Sequence, residues 1–151
     1  MVVTLKNALD LSKAALVYSD TPLYTREGKY RRVTTTVTFV LSNGEILTIE
    51  RGFEWDEASI PVLLRPFFPK SGVYATSSLL HDALYYLTEH EKKFVEKEFK
   101  LWMEATEISK FQIFCRYWGV KLFGGSYWNK NKNNPSVRCK NNRKFIYLTH
   151  D

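Results

Sequence analysis

The stretch KYRRVTTTVTFVLSNGEILTIERGF, residues 29–53, decides how the first third of the chain folds. It is rich in Val, Thr, Ile and Phe, which favour strands, and it is interrupted by Asn43-Gly44. An Asn-Gly pair between two β-prone runs is the strongest short-range signal for a hairpin, because these residues tolerate the positive φ of a tight turn. The pattern therefore predicts strands over residues 30–41 and 45–51, with a further strand over 14–18.

The second half of the chain has the apolar spacing of helices. Ser77 or Ser78 can cap a first helix that ends near Leu87, and two further helices are predicted over 91–105 and 108–123. The apolar residues of the last helix recur as in a buried stripe, which consists of Phe111, Phe114, Cys115, Trp118 and Leu122.

Gly124-Gly125 ends the third predicted helix, because glycine commonly follows a helix C-terminus. The residues after it are rich in Asn and Lys, and residues 129–144 read as a basic loop. The run FIYL (145–148) then predicts a short terminal strand.

Between the two halves lies WDEASIPVLLRPFFPKSG (55–72), with three prolines in nine residues. Proline at this density excludes a regular helix or a central strand, while the apolar residues beside it favour an ordered loop that packs on the core. We therefore predict a single α+β domain over residues 1–151. It would comprise an N-terminal antiparallel β-hairpin or meander, the Pro-rich ordered loop and a three-helix layer.

The composition excludes several classes of protein. A chain of 151 residues, 44% of them hydrophobic, can bury the core of one globular domain. No apolar run approaches the roughly 20 residues that span a bilayer, and the N-terminus does not resemble a signal peptide. Two cysteines are too few for a disulfide framework and lack the spacing of a zinc site. We expect a soluble protein that stays where it is made.

The apolar run LLHDALYY (79–86) contains the candidate catalytic residues. His81 and Tyr85 are one helical turn apart and share a face, and a histidine can act as a base or an acid near neutral pH. Asp82 is placed to bind a metal or the substrate. The acids available to hold the second imidazole nitrogen are Glu96 and Glu98 on the next helix and Glu89, which is nearer in sequence. A second interpretation stays open, because a lone histidine in an apolar helix is more often a hydrogen-bonded core residue.

Asp56 and Ser59, in FEWDEASIP, form a second polar pair. Asp and Ser three residues apart after a strand commonly hold a turn by accepting hydrogen bonds from backbone amides. We expect this pair to shape the site, since the sequence has no GxSxG elbow that would expose a catalytic serine.

The net charge of +6 belongs mainly to the C-terminal segment. Residues 129–151 contain one acid, Asp151, and the basic residues that would contact nucleic-acid phosphates are Lys130, Lys132, Arg138, Lys140, Arg143 and Lys144. A solvated basic loop is the other interpretation, and it makes nucleic acid the least favoured partner.

Two motifs, GF…D.AS.P over residues 52–61 and LHD..Y over 80–85, occur together in this sequence, with Phe99 and Met103 farther along. This pattern resembles the domain of unknown function 1353 family, small proteins encoded by phages, prophages and bacteria. The likeness spans roughly residues 39–128. The family usually carries an Ala-Asp pair in the second helix, where this chain has Val95-Glu96, a longer acid. The resemblance implies a phage origin and a shared site, and it assigns no reaction.

His-Asp-x-x-Tyr on one helix, with an acid on the next, is also similar to the secreted and parvoviral phospholipases A2. That resemblance implies His81 as the base, Asp82 as the ligand of a calcium ion, and Glu96, supported by Tyr85, as the acid that orients the histidine. The sequence departs from this pattern before the helix, where KSGVY offers Gly72 alone in place of a glycine-rich calcium loop.

Three functions follow as expectations. The first is a phage or prophage accessory protein, in the host cytoplasm or the assembled virion, with a His/Asp site that hydrolyses an ester or phosphoester with or without a divalent cation such as calcium. The second is a non-enzymatic protein associated with the virion or tail, which binds other virion proteins or host proteins and in which both motifs hold the fold together. The third is nucleic-acid binding through the basic C-terminal segment.

Overall fold

The computed structural model describes residues 2–8, 23–25, 28–55, 74–106 and 108–150. The strand predicted over 14–18 lies outside the described residues. So does nearly all of the Pro-rich loop, including Asp56 and Ser59.

The hairpin predicted around Asn43-Gly44 is confirmed. Strands β4 (Val37–Val40) and β5 (Ile46–Ile49) pair antiparallel, with Val40 opposite Ile46. The Leu41 amide donates to the Glu45 carbonyl at 2.9 Å, and the Gly44 amide donates to the Leu41 carbonyl at 3.0 Å. Gly44 has a φ of 87° while Asn43 does not enter the positive region, so the turn needs glycine at one position only.

This hairpin forms the centre of a four-stranded sheet. Strand β1 (Val2–Val3) pairs parallel with β4, and β7 (Ile146–Thr149) pairs antiparallel with β5, giving the order β1-β4-β5-β7. The terminal strand predicted from FIYL is therefore confirmed, and it lies beside the hairpin.

The single strand predicted over 30–41 is wrong, because two strands in different sheets occupy that range. Strand β3 (Gly28–Arg32) pairs with β2 (Leu23–Thr25) and β6 (Glu54–Trp55), in the order β2-β3-β6. The chain leaves this sheet at Val33. The Val33 amide donates to the Phe53 carbonyl at 2.8 Å, and the Val33 carbonyl accepts from the Gly52 amide at 2.9 Å.

The helices follow as α1 (Tyr74–Leu87), α2 (Lys92–Ala105), α3 (Lys110–Phe123), α4 (Gly125–Asn133) and α5 (Val137–Asn142). The ends predicted for α1 at Leu87 and for α3 at Gly124 are confirmed. The cap predicted at Ser77 or Ser78 is wrong, because α1 already includes both serines and buries them. The cap of α3 is Ser109, whose side chain accepts from the Gln112 amide at 3.3 Å.

The loop predicted over 129–144 is wrong, since α4, α5 and a 3-10 turn (Arg143–Phe145) occupy it. Tertiary packing offsets the low helix propensity of Asn. Trp128, Cys139 and Asn142 are buried, and the Ser136 side chain caps α5 by accepting from the Cys139 amide at 3.1 Å. The described residues thus contain five helices rather than the predicted three, and the α+β class is confirmed.

The core lies between the four-stranded sheet and the first two helices. Phe39 of β4 meets Trp102 of α2 edge to face, with ring centroids 5.3 Å apart, and Leu80 and Leu84 of α1 are fully buried in the same core cluster as Leu47. Of the helices in the described residues, none has both the length and the hydropathy needed to span a bilayer.

The stripe predicted to be buried on α3 is instead exposed. Phe111, Phe114, Trp118 and Leu122 are 40–68% exposed, and Cys115 is partly buried. The helix packs its opposite face, through Ile113, against Phe99 and Met103 of α2. The apolar spacing therefore predicts correctly which residues share a face of α3, but that face contacts solvent and not the core.

Candidate functional site

His81 lies inside the helical layer with its imidazole between two aromatic rings. Its ring centroid is 4.3 Å from that of Tyr85, one turn along α1, and 4.4 Å from that of Phe99 on α2. Both partner rings are tilted by less than 40° from the imidazole plane, and the residue is only 6% exposed. The sequence spacing that placed His81 and Tyr85 on one face thus corresponds to a direct contact.

The Asp82 carboxylate lies beside this imidazole. Its Oδ1 lies 3.3 Å from His81 Nδ1, although the two residues are adjacent in sequence. The His81 Nε2 atom is buried and has no hydrogen-bond partner among the residues that the structure describes. When Nδ1 carries the hydrogen that faces Asp82, Nε2 presents its lone pair in an apolar environment.

Tyr85 brings a second unpaired polar atom to the site. Its hydroxyl is buried and has no hydrogen-bond partner within the described ranges. Burial, and next the charges of Glu96 and Asp82, raise the pKa of Tyr85 far above its ordinary value. The phenol is therefore held neutral, as a hydrogen-bond donor.

Gly124, the residue that ends α3, packs directly against this hydroxyl. A Cβ at position 124 would lie 2.5 Å from Tyr85 Oη, which is closer than atoms can approach. Sequence reasoning identified Gly124 only as a helix end, and its role beside the site had no local signal. Phe99 belongs to the family pattern in the sequence, but its contact with His81 depends on how α1 and α2 pack.

Two acids of α2 have partners other than the imidazole. Glu96 is buried and forms an ion pair with Lys92, one turn earlier on α2, and its charge reaches Tyr85. Glu98 accepts hydrogen bonds from Ser42 in the hairpin turn. The structure therefore brings His81, Asp82 and Tyr85 together, with Glu96 beside Tyr85, while Asp56 and Ser59 lie outside the described residues.

The metal ligand predicted from the sequence is Asp82. Calcium takes six to eight oxygen ligands, and no group of three or more His, Cys, Asp or Glu in the described part of the chain is arranged to hold a metal. The role of Asp82 as a metal ligand stays a prediction.

The basic residues of the C-terminal segment divide into two sets. Arg143 donates to the carbonyl oxygens of Tyr86 and Asn131, and Arg138 binds Glu54 at 3.0 Å, so both guanidinium groups hold the fold together. The exposed basic residues of the segment are Lys130, Lys132, Lys140 and Lys144.

The neighbouring tyrosines of α1 give a matched test of the unpaired hydroxyl. Tyr85→Phe removes a buried group without a partner, so we expect the free energy of unfolding to rise by about 1 kcal/mol. Tyr86→Phe removes a hydroxyl that Arg138 hydrogen-bonds, so we expect a loss of about 1–2 kcal/mol. Urea unfolding of both variants measures the difference, and equal losses in both would contradict an unpaired Tyr85.

The comparisons with known proteins give one result. The model of the family described as "Protein of unknown function (DUF1353)" matches residues 31–120, from β3 to α3. This range contains His81, Asp82, Tyr85 and Glu96. No curated protein and no solved structure matches the chain.

Proposed function

Because this chain belongs to the DUF1353 family, proteins of unknown function, we propose its role from the site itself: it is a hydrolase of an ester or phosphoester in which His81 is the general base. The observation that carries the proposal is the buried imidazole whose Nδ1 faces Asp82 and whose Nε2 is unpaired within the described residues. A phage or prophage origin, which rests on the motif resemblance, is part of the same proposal.

Two unpaired polar atoms in an apolar layer point to a ligand. An unsatisfied buried donor or acceptor costs about 1–3 kcal/mol, so a site that retains both the Tyr85 hydroxyl and His81 Nε2 is less stable than an apolar one. A substrate with an oxygen for Tyr85, and a water molecule for His81, would satisfy both atoms. Such local destabilisation is typical of functional sites.

The geometry suits proton transfer followed by attack of water. His81 Nε2 accepts a proton from water as the water oxygen bonds to the carbonyl carbon or phosphorus atom, and Asp82 stabilises the imidazolium that forms. The neutral Tyr85 hydroxyl donates to the substrate oxygen on which negative charge develops. The imidazolium then returns its proton to the leaving oxygen, so the enzyme ends in its starting state.

The decisive variant is His81→Phe, assayed on chromogenic carboxylic esters and phosphodiesters. Phenylalanine keeps a ring between Tyr85 and Phe99 but removes the base, so we expect hydrolysis to fall by about a hundredfold or more. Stability should be unchanged or higher, because the unpaired Nε2 is removed as well.

His90→Phe is the matched control. His90 also stacks on a ring, that of Phe94 at 4.5 Å, and it also lies beside a carboxylate, Glu45 Oε1 at 3.1 Å. This variant should keep wild-type activity. Two outcomes would favour the non-enzymatic role, in which the His–Asp pair supports the packing of α1 on α2. One is hydrolysis by His81→Phe at the wild-type rate. The other is no hydrolysis by the wild type together with a lower melting temperature for His81→Phe.

A further inference from the structure

Helix α3 presents a continuous apolar stripe to solvent. The stripe consists of Phe111, Phe114, Trp118 and Leu122, which are 64%, 60%, 40% and 68% exposed. At 100° per residue these positions fall within an arc of about 80° on the helix surface. Single exposed apolar residues are ordinary, but four large ones in one line mark an interaction surface.

Lysines border this stripe. Lys121 extends over Trp118, with Nζ 4.9 Å from the ring centroid, and Lys110 is exposed at the start of the helix. From α2, Lys100 places its Nζ 5.4 Å from the ring of Tyr117, beside the stripe. An apolar line with ammonium groups along its border is thus built from two packed helices.

The part of the sequence that begins with α3 carries charge of one sign. Residues 110–150 contain no Asp or Glu, and their basic residues are Lys110, Arg116, Lys121, Lys130, Lys132, Arg138, Lys140, Arg143 and Lys144. The lysines that border the stripe, Lys100, Lys110 and Lys121, favour a partner that carries negative charge beside an apolar phase.

We propose that the stripe docks on the surface of an anionic lipid bilayer. A second copy of this chain would bring lysines against lysines. Nucleic acid would meet the lysines, but its stacked bases leave no apolar phase for Leu122. A bilayer interface accepts Phe, Trp and Leu among its acyl chains, while its anionic headgroups contact the lysines at the same depth. This binding does not depend on the hydrolytic role of His81.

The test uses the full chain with vesicles of phosphatidylcholine alone and vesicles that also contain phosphatidylglycerol. We expect co-sedimentation with the anionic vesicles, weakened by added salt, and a blue shift of tryptophan emission. Trp118 would report this shift, since Trp55, Trp102 and Trp128 are buried. Phe114→Ser/Leu122→Ser and Lys110→Glu/Lys121→Glu should each lower the vesicle partition coefficient by about tenfold or more.

The matched control is Val2→Ser/Val137→Ser, which changes two equally exposed apolar residues away from α3 and should bind like the wild type. All the substituted side chains are exposed, so the melting curves of the variants should coincide with that of the wild type within a few degrees. Failure of the wild type to bind anionic vesicles would overturn the proposal, as would unchanged binding by the stripe variants. The proposal would also be overturned if the wild type bound oligonucleotides or formed a dimer and the stripe variants lost that property.

Discussion

Replacement of Glu98 by alanine is expected to lower the free energy of unfolding by about 3 kcal/mol. The side chain is 1% exposed and accepts from the Ser42 amide at 2.7 Å, the Ser42 hydroxyl at 2.5 Å and the Trp102 indole at 3.4 Å. Alanine would leave these donors unpaired in the interior, and it would also release the hairpin turn from α2.

Chemical denaturation of three variants separates this effect from a general loss of helix stability. Glu98→Gln keeps an acceptor for the Ser42 amide and gains a donor for its hydroxyl, so we expect it to lose less than half as much. Glu104→Ala, at an exposed position of the same helix, should change stability by less than about 0.5 kcal/mol. Equal losses at positions 98 and 104 would refute the role of Glu98 as the link between sheet and helix.

Arg143→Ala is expected to cost about 2–3 kcal/mol, the second largest effect. The guanidinium donates to the Tyr86 carbonyl at 2.7 Å, the Asn131 carbonyl at 2.6 Å and the Thr88 hydroxyl at 3.4 Å. Tyr86 lies at the end of α1, Thr88 follows that helix, and Asn131 lies on α4. One side chain therefore joins segments that are distant in sequence.

Lys144→Ala is the control for Arg143→Ala, because it removes the same charge from an exposed neighbour. We expect its melting temperature to match the wild type, while that of Arg143→Ala falls by roughly ten degrees. If both variants melted like the wild type, Arg143 would instead be a free surface charge, as the nucleic-acid interpretation of the basic segment requires.

Local signals in the sequence were sufficient for part of the fold. Gly44 defines the hairpin because the turn needs one residue at positive φ, and that requirement is visible without any tertiary contact. The long strand over 30–41 could not be divided correctly, because the crossing at Val33 depends on hydrogen bonds with residues 52 and 53. Those bonds leave no trace in the residue pattern around Val33.

In the helical part of the chain, the apolar spacing predicts which residues share a face but not what that face contacts. A regular apolar spacing predicts a face, but whether that face meets the core or the solvent depends on what packs beside it. In α3, Ile113 meets α2 while Phe111 and Phe114 face outward. The loop prediction for the Asn-rich segment is wrong for the converse reason, since its few buried residues, such as Trp128, are too sparse to form a pattern.

The candidate site was partly accessible from the sequence. The spacing of His81 and Tyr85 predicted a shared face, and the structure adds their ring contact. What the sequence could not supply is the partner from α2 and the close approach of Gly124, because both depend on helix packing. The catalytic roles of His81, Asp82, Tyr85 and Glu96 stay predictions.

The strand order has a consequence for how the domain can be cut. The range that the family model matches, 31–120, includes β4 and β5 but omits β1 and β7, which lie on either side of them. A fragment limited to that range would leave the outer backbone amides and carbonyls of both strands unpaired, and it would uncover the neighbours of the buried Val3 and Ile146. Such a fragment offers two open edges for pairing with other chains, so the unit that can be expressed without aggregating is larger than the unit that identifies the family.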